Sequence, residues 1–543
     1  VAALLRFFLI SQGWPQTDSD ESTMGLMALH IVQKGEHPTF FYGQDYMGSL
    51  EAYIGSAMFR LFGPSTFSLR LGLIFLFVLF LVSMYYLASL LYTKKFALAT
   101  LILLSLGSDA LLQRELDAIG GYPETILFGT LAFLLASWLA LSFNRDLTKR
   151  DRRLRFAAYG FWGLVVGLGI WSDLLILPFV FMAGLLLIVF CWREWRTWAP
   201  LCIVLGFIVG ALPFILYNIS ASPGWDTFSV VSRISHQGAD ALASLHSPIA
   251  AQFNGAFLIS LPTAIGITPS CPNVGNVQFT GLLHAQPFLC SGRYLIWGLG
   301  FTLLWLIAIL LALIAIWRRR HQFLAHRGMY EEKQTLVRQF ARLMLLGSAA
   351  LAFVLFVLSP APAVWPFTSA RYLFGLLIAT PAIIWPLWNG SSTLRRFSPG
   401  LTKVLIVFKG GVLLLIGTLF LMGTLNTFSM IPATQAIDRQ QEVLVNNLLD
   451  HGITRMYSDY WTCDRIIFQS GERIICGVIG GQLQRGYNRY GAYMQIVKAD
   501  PHAAYVLLVG SSEATTFAHK GAPTPGKHYQ HFTLDGYEIY QPV

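Results

Sequence analysis

The chain of 543 residues is 55% hydrophobic and only 12% charged, with 40 Phe and 15 Trp residues. Soluble domains carry about a quarter charged residues, so this composition and the mean hydropathy of +0.56 exclude an ordinary soluble protein and indicate a polytopic membrane protein. The net charge of +10 does not require a nucleic-acid partner, and we expect none, because a membrane orientation signal accounts for the basic residues.

Apolar runs along the chain predict its membrane spans. The first run, Val1 to Ile10, is shorter than the roughly 20 residues that a spanning helix needs, which suggests that the beginning of this helix is missing. With it, we expect eleven helices. The other ten runs lie at about 72–92, 96–112, 125–143, 156–171, 175–191, 199–217, 296–316, 343–358, 373–388 and 403–423.

Basic residues are distributed unequally between the two sets of loops. Lys and Arg cluster in alternate loops, at residues 94–95, 145–155, 193–196, 318–342 and 395–403. The opposite loops contain only isolated Lys and Arg residues. By the positive-inside rule the opposite loops lie outside the cell. We therefore expect an integral protein of the cytoplasmic membrane whose first loop, residues 11–66, and polar C-terminal part are extracytoplasmic.

An acid-rich segment within that first loop is the strongest candidate for chemistry. It runs from Asp18 to Glu51 and reads DSDESTMGLMALHIVQKGEHPTFFYGQDYMGSLE. Acidic side chains beside a bilayer are costly unless they pair, reach water or take part in function. The concentration of carboxylates at this position therefore favours an active site at the outer face of the membrane.

Two short helices are predicted within the same loop. Residues 21–34 have amphipathic periodicity, with Asp20 or Ser22 as the N-cap, and residues 49–62 form a second such helix that ends at Gly63. Both are too short and too polar to span a membrane, so we expect them to lie in the interface.

Three other outer positions carry candidate residues with two interpretations each. The segment QRELDAIGGYPE, residues 113–124, is either a solvated turn or a second wall of the site. Asp173 either caps the next helix or contacts a substrate. Arg371, which precedes Tyr372, is either an interfacial anchor or a phosphate contact.

The pair Asp20-Glu21 opens a helix after a first apolar segment, and YGQDYMGSLEA leads into the second helix. This arrangement resembles the first extracytoplasmic loop of the GT-C membrane glycosyltransferases, in particular the bacterial relatives of dolichyl-phosphate-mannose protein mannosyltransferases and the lipid A aminoarabinose transferase. The resemblance covers roughly the first two-thirds of the chain.

The resemblance implies an inverting transfer of a sugar from a polyprenyl-phosphate donor to an envelope acceptor, which is a protein, lipid or glycan. Asp20 matches the candidate base that takes the proton of the acceptor hydroxyl. Glu21 would orient it or position the helix, and Asp18 is a rival base. Membrane lipids are the other expected partner. Candidate substrate-binding residues are Tyr42, Gln44, Tyr46, Glu51, Arg114, Glu115, Asp117, Tyr122, Glu124, Asp173, Arg371 and Tyr372.

No cofactor is expected, although one alternative involves a metal. Asp18-Ser19-Asp20 spells DxD, and carboxylates suit a divalent cation such as Mg²⁺ or Mn²⁺. The mannosyltransferase-like branch of the family generally manages without metal. A simpler alternative is that Asp18 and Asp20 only cap the helix.

Two other function classes remain open from the sequence. A transporter or flippase for lipid-linked sugar would need charges within its spans, whereas the predicted spans are nearly free of charge, with Lys409 the main exception. A non-catalytic envelope assembly subunit would use the C-terminal part for recognition.

After residue 426 the composition becomes polar, which predicts a transmembrane domain at 1–426 and a small extracytoplasmic α/β domain at 427–543. Helices are predicted at 436–450 and near 488–499, and strands at RMYSDYW and AAYVLLVG. The ending FTLDGYEIYQ predicts a hairpin with Asp535-Gly536 at its turn.

The six cysteines fit this topology. Cys271 and Cys290 share one outer loop, and Cys463 and Cys476 share the C-terminal domain, so each pair is expected to form a disulfide in an oxidising compartment. Cys191 and Cys202 lie near the inner face and are expected to be free.

Overall fold

The computed structural model describes residues 1–143, 148–245, 247–267, 288–325, 330–388, 399–521 and 528–543. The chain forms two compact units. The helical unit comprises Val1–Ala3, Phe75–Glu115 and Gly121–Thr427, and the mixed unit comprises Leu4–Ile74, Leu116–Gly120 and Phe428–Val543. This division differs from a single cut between residues 426 and 427, because residues 11–66 belong to the same unit as the C-terminal residues.

Long apolar helices make up the helical unit. The α-helices from residue 66 to residue 450 are Thr66–Leu91, Lys94–Ser105, Asp109–Leu116, Tyr122–Leu141, Lys149–Ser172, Leu177–Cys191, Ala199–Gly210, Leu212–Ser220, Thr227–Ala243, Pro248–Asn254, Leu261–Ala264, Phe288–Ala325, Tyr330–Leu358, Ala361–Val364, Thr380–Trp388 and Pro399–Asp450. Shorter 3₁₀ turns occur at Leu174–Ile176 and Glu194–Arg196, a longer 3₁₀ segment at Thr368–Ala379, and a π-helix at Gly255–Ser260.

The helices agree with the predicted spans. Among the described residues, eight helices are long and apolar enough to cross a membrane. Two further pairs of helices are bent at a short break, the first pair by 90° and the second by 68°. If each pair counts as one span, the number rises to ten. In the second pair Pro213 lies in the first turn of Leu212–Ser220, where its missing N–H interrupts the helical hydrogen bonds. The protein is therefore an integral membrane protein of polytopic α-helical type.

Small residues allow two spans of the helical unit to approach closely. Gly160, Gly163 and Gly167 on Lys149–Ser172 face Gly206 and Gly210 on Ala199–Gly210. A Cβ atom at Gly206 would overlap the carbonyl oxygen of Gly160. Small residues at helix interfaces in membranes have this role, because packing replaces the hydrophobic effect as the source of attraction.

The N-terminal part of the mixed unit contains the predicted helices. It consists of α1 (Ala2–Ser11), α2 (Ser19–Gln33), strands β1 (Phe40–Phe41) and β2 (Gln44–Gly48), α3 (Leu50–Phe62) and the start of α4 (Thr66–Leu91). The two strands pair antiparallel, with Phe41 opposite Gln44.

Helix α2 is a core helix of the mixed unit, with buried residues on every side from Ser19 to Ile31. Its small residues permit close packing: Gly25 lies against the ring of Phe468, where a side chain would collide. A helix buried in this way has little apolar surface left for a bilayer, in contrast to the surface helix that its periodicity predicts.

A five-stranded sheet forms the C-terminal part of the mixed unit. Its strands are β3 (Arg455–Ser458), β4 (Ile475–Val478), β5 (Ala504–Leu508), β6 (Tyr529–Leu534) and β7 (Tyr537–Pro542), in the order β4-β3-β5-β7-β6. β3 pairs parallel with β4 and β5, whereas β7 pairs antiparallel with β5 and β6. Helices Tyr460–Gln469, Gly491–Ala499 and Ser512–Lys520 lie between the strands in sequence.

The predicted hairpin is confirmed, since Asp535 and Gly536 both have positive φ values, 50° and 85°, as a tight hairpin turn requires. The predicted strand RMYSDYW is too long. It ends at Ser458, because Asp459 accepts hydrogen bonds from the N–H groups of Trp461 and Thr462 and thereby starts a helix.

One predicted disulfide is confirmed. Cys463 and Cys476 are bonded, with their Cα atoms 5.2 Å apart, and join the helix Tyr460–Gln469 to β4. Cys191 and Cys202 are free, as expected. The other predicted pair, Cys271 and Cys290, involves a segment outside the residues that the structure describes.

Candidate active site

The first turn of α2 holds the acidic residues that the sequence singles out. The N-cap of this helix is Asp18, and its Oδ1 accepts a hydrogen bond from the N–H of Glu21 at 2.9 Å. The expectation that Asp20 or Ser22 is the cap is therefore wrong: the helix begins one or more residues earlier, so both residues lie inside it. A capping carboxylate satisfies a helical N–H that would otherwise lack a partner.

Asp20 belongs to a different set of contacts. Its Oδ1 forms an ion pair with Nη2 of Arg489 at 2.6 Å and also accepts a hydrogen bond from the hydroxyl of Tyr460. The Nε of Arg489 donates to the same hydroxyl at 2.5 Å, and its Nη1 donates to the carbonyl oxygen of Tyr42 at 3.1 Å. Two side chains from distant parts of the sequence, Arg489 and Tyr460, thus hold one oxygen of Asp20.

The other oxygen of Asp20 is available. Among the residues that the structure describes, none donates a hydrogen bond to Oδ2 of Asp20, and 18% of the side chain is exposed. By contrast, only 5% of the Arg489 side chain is exposed, and its guanidinium lies 4.5 Å from the ring centre of Phe41. Asp20 is therefore an oriented carboxylate with one oxygen free to accept a proton.

Glu21 forms a buried ion pair with Arg70. Both of its carboxylate oxygens bind Arg70, with Nε–Oε1 at 2.7 Å and Nη2–Oε2 at 2.5 Å, and each side chain is only 1% exposed. Arg70 also donates to the carbonyl oxygen of Gly13 and to the hydroxyl of Thr17. This bidentate pair links α2 to the start of α4 and leaves Glu21 without an oxygen for a substrate.

A polar network surrounds His30 of α2. The hydroxyl of Tyr42 donates to Glu36 at 2.6 Å and lies 2.9 Å from Nδ1 of the fully buried His30. Nε2 of His30 lies 3.1 Å from Glu472, which also accepts from Lys34 at 2.8 Å.

Hydrogen bonds in this network set the charge of its central carboxylate. Burial raises the pKa of Glu472, but hydrogen bonds from His30, Lys34 and Tyr493 outweigh it and lower that pKa to about 2. Tyr42 belongs to this network through its contacts with Glu36 and His30. The other two candidates nearby, Gln44 and Tyr46, are half-buried on β2.

Glu51 and Asp117 are both buried in the mixed unit. Oε2 of Glu51 accepts a hydrogen bond from the backbone N–H of Gly120 at 3.0 Å. Gly120 has a φ of +93° and lies against Met47, so a larger residue would not fit there. Glu51 thus fixes the turn of residues 116–120.

Several candidate residues belong to the helical unit. Asp173 caps the short helix Leu174–Ile176 by accepting from the N–H of Leu175 at 2.9 Å. Burial raises its pKa to about 7, although this hydrogen bond and the charge of Arg371 lower it. Gly121, with a φ of +79°, packs directly on Asp173.

The remaining candidates of this unit differ in exposure. Arg371 is half-buried, and its guanidinium lies 5.5 Å from the ring of the exposed Tyr372. Arg114 is half-buried. The buried members of the predicted second wall are Glu115, Tyr122 and Glu124.

The alternative of a metal ligated by Asp18 and Asp20 does not fit the geometry. Asp18 uses its carboxylate as the helix cap, and Asp20 is paired with Arg489. Within the described ranges there is no group of three or more His, Cys, Asp or Glu side chains that could hold a metal ion. We therefore assign no step to a cation.

Arg489 and Tyr460 are the residues of the candidate site that the sequence does not reveal. Arg489 is 469 positions from Asp20, and neither residue belongs to a recognisable motif. The only available signal is the presence of charged residues in the C-terminal part, which is too general to select one of them.

Comparisons with known proteins show the fold. No protein-family model matches the chain, and no curated protein sequence matches it. Among solved structures, ArnT from Cupriavidus metallidurans bound to undecaprenyl phosphate has a TM-score of 0.53 and 13% identity over 100% of this chain and 96% of that one. The Archaeoglobus fulgidus oligosaccharyltransferase tethered with an acceptor peptide has a TM-score of 0.50 and 15% identity over 99% of this chain and 73% of that one.

Proposed function

We propose that this chain, which has the fold of the GT-C membrane glycosyltransferases, transfers a sugar from a polyprenyl-phosphate donor to an acceptor of the cell envelope. The reaction inverts the anomeric centre and takes place at the outer face of the cytoplasmic membrane. A lipid-linked donor suits this face, because nucleotide sugars stay in the cytosol. It also suits the similarity to an enzyme crystallised with undecaprenyl phosphate.

Asp20 carries the proposal. An acceptor hydroxyl must lose its proton as it attacks the anomeric carbon, and a positioned carboxylate within hydrogen-bonding reach can accept that proton. Oδ1 of Asp20 is fixed by Arg489 and Tyr460, so Oδ2 has a defined direction, and 18% of the side chain is exposed. Asp18 and Glu21 lack this combination, since the first caps the helix and the second is buried in an ion pair.

The leaving group needs positive charge or hydrogen bonds, because the departing lipid phosphate carries the electrons of the broken glycosidic bond. We assign this role to Arg371, with Arg114 as a second candidate. Arg371 stands beside an exposed Tyr372 at the start of a span. A guanidinium can bind phosphate through two parallel hydrogen bonds.

The test is a transfer assay with purified protein in detergent or nanodiscs. Synthetic polyprenyl phosphates that carry different radiolabelled sugars are incubated with cell-envelope fractions, and nucleotide sugars serve as the control donor. We expect label in the envelope fraction with at least one lipid-linked donor and none with nucleotide sugars. Movement of the lipid donor across vesicles without transfer would instead favour a flippase.

A further inference from the structure

A cavity of about 830 Å³ lies within the mixed unit, where α1 ends, α4 begins and the helix Pro399–Asp450 passes both. Neither Asp20 nor its partners Tyr460 and Arg489 line it. The cavity is therefore separate from the contacts that hold Asp20.

Buried residues form the floor of this cavity. Ile10, Thr17 and Arg70 lie there, all almost inaccessible to solvent. The positive charge of Arg70 is already neutralised by Glu21 through two hydrogen bonds. The floor therefore combines the apolar Ile10 with the polar groups of Thr17 and Arg70 and has no uncompensated charge.

The rim combines opposite charges and amides. Arg439 and Arg473 contribute two guanidinium groups, and Asp438 and Glu442 contribute two carboxylates, so these charges cancel. Four side-chain amides complete the polar lining: Gln12, Gln435, Asn446 and Gln469.

This chemistry selects a class of ligand. An amide both donates and accepts hydrogen bonds, and a sugar hydroxyl does the same. An inorganic anion would need a net positive site. A lipid tail would need a predominantly apolar lining, whereas Ile10, Phe67 and Val445 share this lining with charged and amide side chains. We infer that the cavity binds a neutral carbohydrate, which its volume can accommodate.

The carbohydrate can come from two sources. Leu4, Phe7 and Phe8 of α1 are exposed, and the last residues of the same helix line the cavity. Exposed apolar residues on a short apolar helix are suited to contact lipid. The ligand is thus either a free saccharide or the head group of a glycolipid. This inference goes beyond the transferase activity, because binding can be measured without transfer.

Saturation-transfer NMR with protein in phosphatidylcholine nanodiscs tests the inference. The probes are maltose and N,N′-diacetylchitobiose, which differ in their acetamido groups. We expect a signal from at least one of them. Glu442→Ala/Asn446→Ala removes two exposed rim side chains and should weaken binding about tenfold. Asp450→Ala, an exposed change on the same helix outside the lining, should bind as the wild type does.

The two sources are separated by adding monoglucosyldiacylglycerol to the nanodiscs. A reduced disaccharide signal identifies the lipid head group as the occupant, and an unchanged signal identifies a free saccharide. No saturation transfer to either disaccharide, or an equal signal from the double variant, would overturn the inference. Asp20→Asn should retain the signal, so failure of the transferase proposal would leave this result intact.

Discussion

Asp20 and Glu21 are neighbours in the sequence, but their side chains have different surroundings. Glu21 is enclosed in a bidentate pair with Arg70, whereas Asp20 is paired through one oxygen and 18% of its side chain is exposed. Two adjacent residues on a helix point about 100° apart, so one can hold the helix in place while the other faces a substrate. At this scale the candidate base is determined by orientation and accessibility.

Asp20→Asn should abolish most of the turnover. Asn keeps the size of the side chain but cannot accept the proton, and loss of a general base typically costs about 10²–10⁴-fold in rate. The sugar transfer assay measures this loss, and binding of the polyprenyl-phosphate donor should change little. Asp18→Asn is the matched control: Asn is as good an N-cap as Asp, so its transfer rate should stay within a few-fold. The opposite result would make Asp18 the base.

Arg371 should contribute to donor binding. Arg371→Ala is expected to weaken the affinity for the polyprenyl phosphate, whereas Arg371→Lys should retain part of it, since Lys keeps the charge but loses the bidentate geometry. The measurement is donor binding by microscale thermophoresis in detergent. Unchanged affinity in Arg371→Ala would remove this residue from the proposed site.

Asp464 should make stability depend on pH. Burial raises its pKa from 3.8 to about 6, while a hydrogen bond from Thr23 and the charge of Arg489 lower it. The folded protein therefore binds more protons than the unfolded chain between about pH 4 and 6, so this carboxyl lowers stability as pH rises through that window. Asp464→Asn removes the cost and can still accept the hydrogen bond from Thr23.

We expect Asp464→Asn to stabilise the protein by about 1–3 kcal/mol at pH 8 and by much less at pH 4. Thermal unfolding midpoints of the variant and the wild type at the two pH values measure the difference. Asp450→Asn, at an exposed position, is the control for general charge effects. A gain of equal size at both pH values would show that the carboxyl of Asp464 is not responsible.

At the scale of elements, α2 depends on its ion pair with α4. Glu21→Gln leaves the guanidinium of Arg70 buried without its carboxylate, and such changes typically cost about 3–5 kcal/mol. We expect a correspondingly lower unfolding midpoint in detergent.

The double variant Glu21→Met/Arg70→Met removes both charges and serves as the control. It should recover much of the lost stability, because an apolar pair avoids the desolvation of a lone charge. If Glu21→Gln were as stable as the wild type, the pair would not hold α2 in place.

At the scale of the whole molecule, the orientation in the membrane is the main prediction. Basic residues crowd alternate loops, so residues 11–66 and the sheet of β3 to β7 should both be extracytoplasmic. Reporter fusions after Gly63 and after Ala433 should both indicate the outside. A cytoplasmic signal from either one would contradict the topology and the proposed site together.

The disulfide gives a second measurement of the same orientation. Disulfides persist in oxidising compartments and are rare in the cytosol. In protein denatured directly from cells, the buried Cys463 and Cys476 should react with a maleimide only after reduction, whereas the free Cys202 should react without it.

The sequence by itself determined the membrane class, the approximate spans, the two short helices after the first apolar run and the hairpin at Asp535-Gly536. These features follow from local periodicity, length and turn chemistry, which neighbouring residues specify. It also located the acidic segment, because so many carboxylates next to apolar runs are unusual. It could not decide among Asp18, Asp20 and Glu21, since all three are compatible with the first turn of a helix.

Only the tertiary structure shows that these three carboxylates have different contacts. Asp20 is oriented by Arg489 and Tyr460, which lie 469 and 440 positions away in the sequence. Glu21 is enclosed by Arg70, which lies 49 positions away. No local pattern encodes contacts over such separations. The burial of α2 depends in the same way on the helix Tyr460–Gln469, which supplies the ring of Phe468 against Gly25. The physical reason is that hydrophobic periodicity reports which face of a helix is buried, whereas charge pairing between distant segments forms only when the chain folds.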